Sequence, residues 1–228
     1  MFTTRRASLF LALVLVPGLV FAGSAHAFVP WSNPNGTASF FDWANGGSDT
    51  GLFGSPTLLS DTFVFFPQNF RADSANGVPG SAADRLEFDL IAHAGFEFTD
   101  IVITEFGDYG ILGDGEVSVN GTLFANDLTA FRVRQDNLLS NPPSPITSGS
   151  GSWQASAGIN FAGDPTGNWT HMKIILDNNL QAITLVGGTS FIQKKITGAG
   201  VSVTVIPEPA SLSLLAFGAC AFLGRRRR

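Results

Sequence analysis

An all-β fold, an antiparallel β-sandwich of jelly-roll-like type, is what this sequence predicts, and three observations predict it. Between residues 28 and 206, apolar side chains recur with period two or in short β-branched runs. Clusters of Gly, Asn, Asp, Pro and Ser interrupt those runs about every ten residues. No stretch of this body carries a long helical repeat. A closed barrel satisfies the same pattern. An outer-membrane barrel does not, because most runs are too short and the charges sit on alternating faces rather than lining one pore.

Taken in order, candidate strands lie at 37–43 and 60–66, followed by 85–92. There Leu86, Phe88 and Leu90 face one way and Glu87 and Asp89 the other, the signature of a half-buried strand. Phe96 and Phe98 continue the alternation, and Ile101-Val102-Ile103 suits a strand buried on both faces. Segments 116–119 and 122–125 flank Asn120-Gly121, the dipeptide best suited to a tight hairpin turn. Further strands are expected at 129–134, 153–161, 169–176, 180–186, 190–196 and 200–206, with Asp177-Asn178-Asn179 as a turn. Residues 67–84 and 141–152 read as long surface loops.

The two ends differ from the body. Arg5 and Arg6 precede an apolar run from Leu9 to Phe21, and Ala25-His26-Ala27 forms a small-x-small cleavage site. Residues 1–27 therefore read as a secretory signal peptide, with Phe28 as the mature N-terminus. Ser8 stands where the twin-arginine route favours a hydrophobic residue, so the Sec export machinery is the expected partner. At the other end, Pro207-Glu208-Pro209 is held extended by its two prolines. An apolar segment, 210–224, follows, and then Arg225, Arg226, Arg227 and Arg228. Those fifteen residues would form a transmembrane helix of roughly 22 Å, short of the ~30 Å hydrocarbon core. The arginines should stay on the cytoplasmic side as a membrane stop. The lone cysteine, Cys220, lies within this segment and suits a small packing residue.

This tail resembles the PEP-CTERM sorting signal of Gram-negative bacteria, which has the same three parts in the same order, here over 207–228. The resemblance implies processing near Pro207-Glu208-Pro209 by an exosortase. It also implies transient residence at the inner membrane, and a final place on the cell surface or in an exopolysaccharide-rich matrix.

Composition narrows what the body can do. It carries seven basic and seventeen acidic residues, a formal charge of −10, while six of the thirteen basic residues lie in the two ends. Such a body repels nucleic acid and anionic membrane, so neither is expected as its partner. An anionic polysaccharide would need bridging cations. With no cysteine between the ends, disulfides and cysteine-type metal sites are excluded. Sixteen phenylalanines and four tryptophans supply the core instead.

Three chemistries remain. Catalysis is not expected: His93 and His171 are far apart in sequence, no zinc spacing occurs, and no Gly-x-Ser-x-Gly elbow precedes a helix. A secreted hydrolase would need a concave site joining one of these histidines to a carboxylate. Calcium could be held by Asp108, Asp114 and Glu116 in a glycine-broken stretch, because calcium takes oxygen ligands from flexible backbone; turn chemistry is the plainer account. Glycan stacking falls to Trp31 and Trp153, which border loops, whereas most tryptophans of a cysteine-free sandwich are core. The resulting expectation is an exported, non-catalytic structural or interaction module without a cofactor. An extracellular-polysaccharide-binding module is the alternative.

Overall fold

The computed structural model describes residues 28–194 and 201–209. The signal peptide, the apolar segment, Cys220 and the arginine block lie outside the described residues. Within them the chain is all β, with fifteen strands and no helix, and no helix is long and apolar enough to cross a membrane.

Two antiparallel sheets pack face to face. The first contains β1 (Val29–Pro30), β2 (Gly36–Thr37), β3 (Phe41–Ser48), β7 (Gly80–Ala92), β9 (Gly115–Asp127), β10 (Val133–Asn137) and β13 (His171–Thr184). Its order is β1-β3-β7-β13-β9-β10, with β2 against β3. The second contains β4 (Thr57–Leu59), β5 (Thr62–Phe65), β6 (Arg71–Ala75), β8 (Phe96–Leu112), β11 (Leu139–Asn141), β12 (Ser150–Asn160), β14 (Thr189–Lys194) and β15 (Val201–Pro209). Its order is β11-β12-β8-β15-β5-β4. Along its other edge the long β8 pairs first with β15 and then, from Gly107 on, with β14, which in turn holds β6.

Period-two patterning decides which face each strand buries. Leu86, Phe88 and Leu90 of β7 are fully buried, as the alternation requires. The run Ile101-Val102-Ile103 also alternates: both isoleucines are buried and Val102 points outward, so this strand is not covered on both faces. Phe63 and Phe65 of β5 meet Phe88 and Trp31 across the sandwich. Ring centroids are 5.1 Å apart for Phe63–Phe88 and 5.6 Å for Trp31–Phe65, within the range where aromatic pairs attract beyond simple burial. Each such side chain contributes roughly 1.5–3 kcal/mol by leaving water.

Several turns fall elsewhere than expected. Asn120-Gly121 lies inside β9, paired with Asn179 and Asn178 of β13, and Asp177-Asn178-Asn179 lies inside β13, paired without interruption to β7 on one side and β9 on the other. Tertiary pairing overrides turn chemistry here, because β9 and β13 are interior strands. The tight Asn-Gly turn occurs at Asn76-Gly77, inside the segment expected to be a loop. Both residues have positive φ, 52° and 82°, and the Val78 N–H donates to the Ala75 carbonyl. That turn carries the chain from one sheet to the other. The proline-rich stretch before β12 remains a loop, with cis peptides at Asn141-Pro142 and Ser144-Pro145.

Candidate ligand-binding groove

The outward face of β6, β14 and β8 carries the best-organised surface cluster among the described residues. In β6, Arg71 and Asp73 are two apart and so share a face. In β14, Phe191 and Gln193 do the same on the neighbouring strand, and β-pairing sets Phe191 opposite Asp73 and Gln193 opposite Arg71. The Arg71 guanidinium donates through Nε to both Asp73 oxygens at 2.9 and 2.8 Å, and through Nη1 to the side-chain Oε1 of Gln193 at 2.7 Å. It also lies 4.2 Å over the Phe191 ring. Gly110 of β8 completes the arrangement, since a Cβ there would come within 2.7 Å of that ring. The ring therefore rests on bare backbone.

Beside this cluster runs a groove of about 620 Å³, its floor apolar through Ile111, Leu112 and Phe191 and its wall polar through Arg71, Asp73 and Thr189. An apolar floor with a few fixed polar groups is the usual make-up of a small-ligand site. A second cleft, about 580 Å³, lies on the opposite sheet and is lined by Asp49, Arg85, Asn120, Asp177 and Asn179 among others. It has polar groups and no aromatic floor.

The expected site residues sit differently. Trp31 and Trp153, expected at loop rims with a face to offer, are both buried, at 4% and 2% exposure. Trp31 packs among Phe63, Phe65 and Phe88, and the Trp153 indole donates to the Gln193 carbonyl at 3.2 Å. Neither can stack on a sugar, because the core needs their area. Trp169 is buried too, and Gly36 packs against the half-buried Trp43 ring.

The proposed calcium ligands do not converge either. Asp108 stands mid-strand in β8 and accepts a hydrogen bond from the Ser152 hydroxyl at 3.1 Å. Asp114 is in the β8–β9 turn, and Glu116 is the second residue of β9, opposite Ile183. Extended chain separates what a flexible loop would have gathered. Among the described residues no group of three or more His, Cys, Asp or Glu side chains could hold a metal ion.

His93 does meet a carboxylate, with Nε2 3.0 Å from Asp42 Oδ1. Hydrogen bonds from His93 and then Thr37 hold the Asp42 carboxyl below its usual range. Neither histidine lines the groove or the cleft just described. Pro207-Glu208-Pro209 ends β15, extended as its prolines require and paired with Phe96–Phe98, with a register shift after Ile206. Sequence reasoning passed over Arg71, Asp73 and Phe191 as a set, because strand 71–75 was hidden inside a presumed loop. The Arg-x-Asp and Phe-x-Gln spacings were the available signal.

No protein-family model matches the chain, and no curated protein matches it. A solved structure described as "Structure of TmCBM61 in complex with beta-1,4-galactotriose at 1.4 A resolution" is similar at 14% identity, covering 78% of this chain and 97% of that one. Its TM-score of 0.24 carries no argument about the site.

Proposed function

We propose that this chain is an exported surface or extracellular-matrix protein whose sandwich, jelly-roll-like in its repeated crossings between sheets, is a non-catalytic structural or interaction module. In this reading residues 1–27 direct Sec export. Residues 28–206 form the working domain, and 207–228 anchor it briefly in the inner membrane until an exosortase processes it. The observation that supports the reading best is the layout of the C-terminus. The last described strand runs straight into Pro207-Glu208-Pro209, and the sequence then passes at once to the apolar segment and Arg225–Arg228. A domain so placed would sit against the membrane until cut.

Intact mass spectrometry of the protein recovered from its host tests this. A mature form beginning at Phe28 and ending near Pro207–Pro209, absent when the exosortase is deleted, is the expected result. A form retaining Arg228 in both strains would overturn it.

The groove beside Phe191 favours a second reading, binding of extracellular polysaccharide. Its apolar floor suits the C–H face of a sugar, and the fixed Arg71–Asp73 pair suits hydroxyl groups. The body's negative charge points to a neutral glycan. Phe191→Ala should abolish retention on immobilised neutral polysaccharide while leaving the melting temperature nearly unchanged; retention equal to wild type would exclude the groove.

A further inference from the structure

At the centre of the sandwich lie three polar side chains that the surface groove does not use. Lys194 of β14 and Glu105 of β8 are both fully buried, and Lys194 Nζ lies 2.6 Å from Glu105 Oε2. Asn178, reaching across from β13 of the other sheet and 4% exposed, donates Nδ2 to Glu105 Oε1 and Oε2 at 2.9 and 2.8 Å. The amine and the carboxamide nitrogen therefore rest on one carboxylate oxygen. Rings close the site: Nζ lies 4.7 Å from the centroid of Phe70, 5.4 Å from Phe53 and 5.8 Å from Trp153. Nζ has three donors to satisfy, yet its contact with Glu105 is not a well-directed hydrogen bond, and Asn178 Oδ1 has no partner. As a purely structural ion pair this is a poor one, because a buried charge with unmet donors is costly.

We propose that Lys194, Asn178 and Glu105 are a self-modifying site that joins Lys194 to Asn178 through an isopeptide bond, stapling the two sheets. The amine Nζ attacks Cγ of Asn178, forming the Nζ–Cγ bond. Glu105 takes the proton that Nζ sheds and delivers it to Nδ2. The Cγ–Nδ2 bond then breaks, and Nδ2 leaves as ammonia. Nothing is oxidised or reduced, and no co-reactant is required. Burial pushes the Lys194 ammonium down from its ordinary range, against the opposing pull of Glu105 and Asp84, which favours the neutral, nucleophilic amine. Fixed neighbours make the encounter intramolecular, Glu105 is placed as general acid–base, and the rings exclude the water that would compete. A chain without a cysteine in its body gains a covalent tie between sheets that redox conditions cannot undo. Export and sorting play no part in this chemistry.

Peptide mass spectrometry of the full chain, denatured and digested with trypsin, tests the bond and does not depend on how the ends are processed. The expected product is residues 174–195 uncut at Lys194 and about 17 Da lighter than the sequence requires, the mass of the ammonia expelled by the lysine nucleophile. Cleavage after Lys194 with full mass would overturn the proposal. So would a 17 Da loss with cleavage after Lys194, which signifies a succinimide at Asn178-Asn179. Glu105→Gln, close to isosteric, should return the peptide to full mass with normal cleavage, provided its circular dichroism matches wild type. A crosslink surviving in that variant would overturn the role given to Glu105.

Discussion

Asp127 shows how much one buried carboxylate can organise. Its Oδ1 accepts the N–H groups of Thr129 and Ala130 at 2.7 and 2.9 Å, and its Oδ2 binds the Arg132 guanidinium through Nε and Nη2. Arg132 in turn lies 4.6 Å over Trp169 and donates to the carbonyls of Gly167 and Asn168. One side chain thus fixes the β9–β10 turn and, through its partner, the 163–168 loop. Asp127→Ala would leave that guanidinium and two turn amides without their acceptor, and should cost about 3 kcal/mol in urea unfolding. Burial pushes the Asp127 carboxyl up, but the Ala130 amide, the Arg132 guanidinium and the Thr129 amide outweigh it and hold it below its usual range. Asp164 is held well below that range by the Thr166 hydroxyl, then by the Trp169 indole, the Thr166 amide and Arg134. For carboxyls depressed on folding, the stabilisation is present above the unfolded value of about 3.9 and is lost as pH falls toward the folded one. The urea midpoint should therefore hold between about pH 7 and pH 5 and fall below about pH 4. In Asp164→Asn the acid fall should be shallower; an equal fall would show that Asp164 contributes nothing to it.

Strands in this protein approach one another as closely as bare backbone permits. At Gly107 of β8, a Cβ would come within 2.1 Å of the Gln193 carbonyl on β14 and 2.3 Å of the Trp153 ring. At Gly158 of β12, on the other side of β8, the nearest atom would be 3.7 Å away. Gly107→Ala should cost about 3 kcal/mol through strand separation, and Gly158→Ala should stay within about 0.5 kcal/mol of wild type. Equal effects in thermal unfolding would mean that the β8–β14 approach is looser than described. The same close packing explains what could be read in advance. The alternation through Leu86, Phe88 and Leu90 was legible because one strand's period suffices to place it. The fate of Asn120-Gly121 was not, because Gly121 serves close packing: a Cβ there would lie 2.5 Å from Leu138 and 2.6 Å from the Asp177 carbonyl. Glycine for a turn and glycine for proximity look alike in sequence, and only the partner strands separate them. Likewise Asn178 reads as turn chemistry until Glu105, seventy-three residues away, is seen to be its partner.

Across the whole molecule, the order of strands in space departs most from their order in sequence at β15. This strand, the last described, lies inside its sheet, between β8 and β5. Val201–Thr204 pair with Phe65–Thr62 on one side and with β8 on the other, and Val205 is buried against the core. The β4–β5 hairpin joins the second sheet through this strand. Beyond Ile206 the situation changes. The register shifts, Pro207 and Pro209 have no N–H to donate, and only β8 is paired there. Residues 201–206 thus close the sandwich, while 207–209 form a fringe that can be lifted without opening it. Strand patterning revealed the existence of this last strand, but its interior position depends on pairings about a hundred residues apart or more, such as Val201 with Glu105 and with Phe65, which no local pattern encodes. A chain of residues 28–206 should unfold cooperatively, with a urea midpoint close to that of 28–209. A chain of 28–194 should lose the cooperative transition, because Phe63, Phe65, Ile101 and Ile103 would lose the strand between them. Loss of cooperativity already at 206 would place the closing contacts within Pro207–Pro209. A cut there would then dismantle the domain instead of releasing it intact.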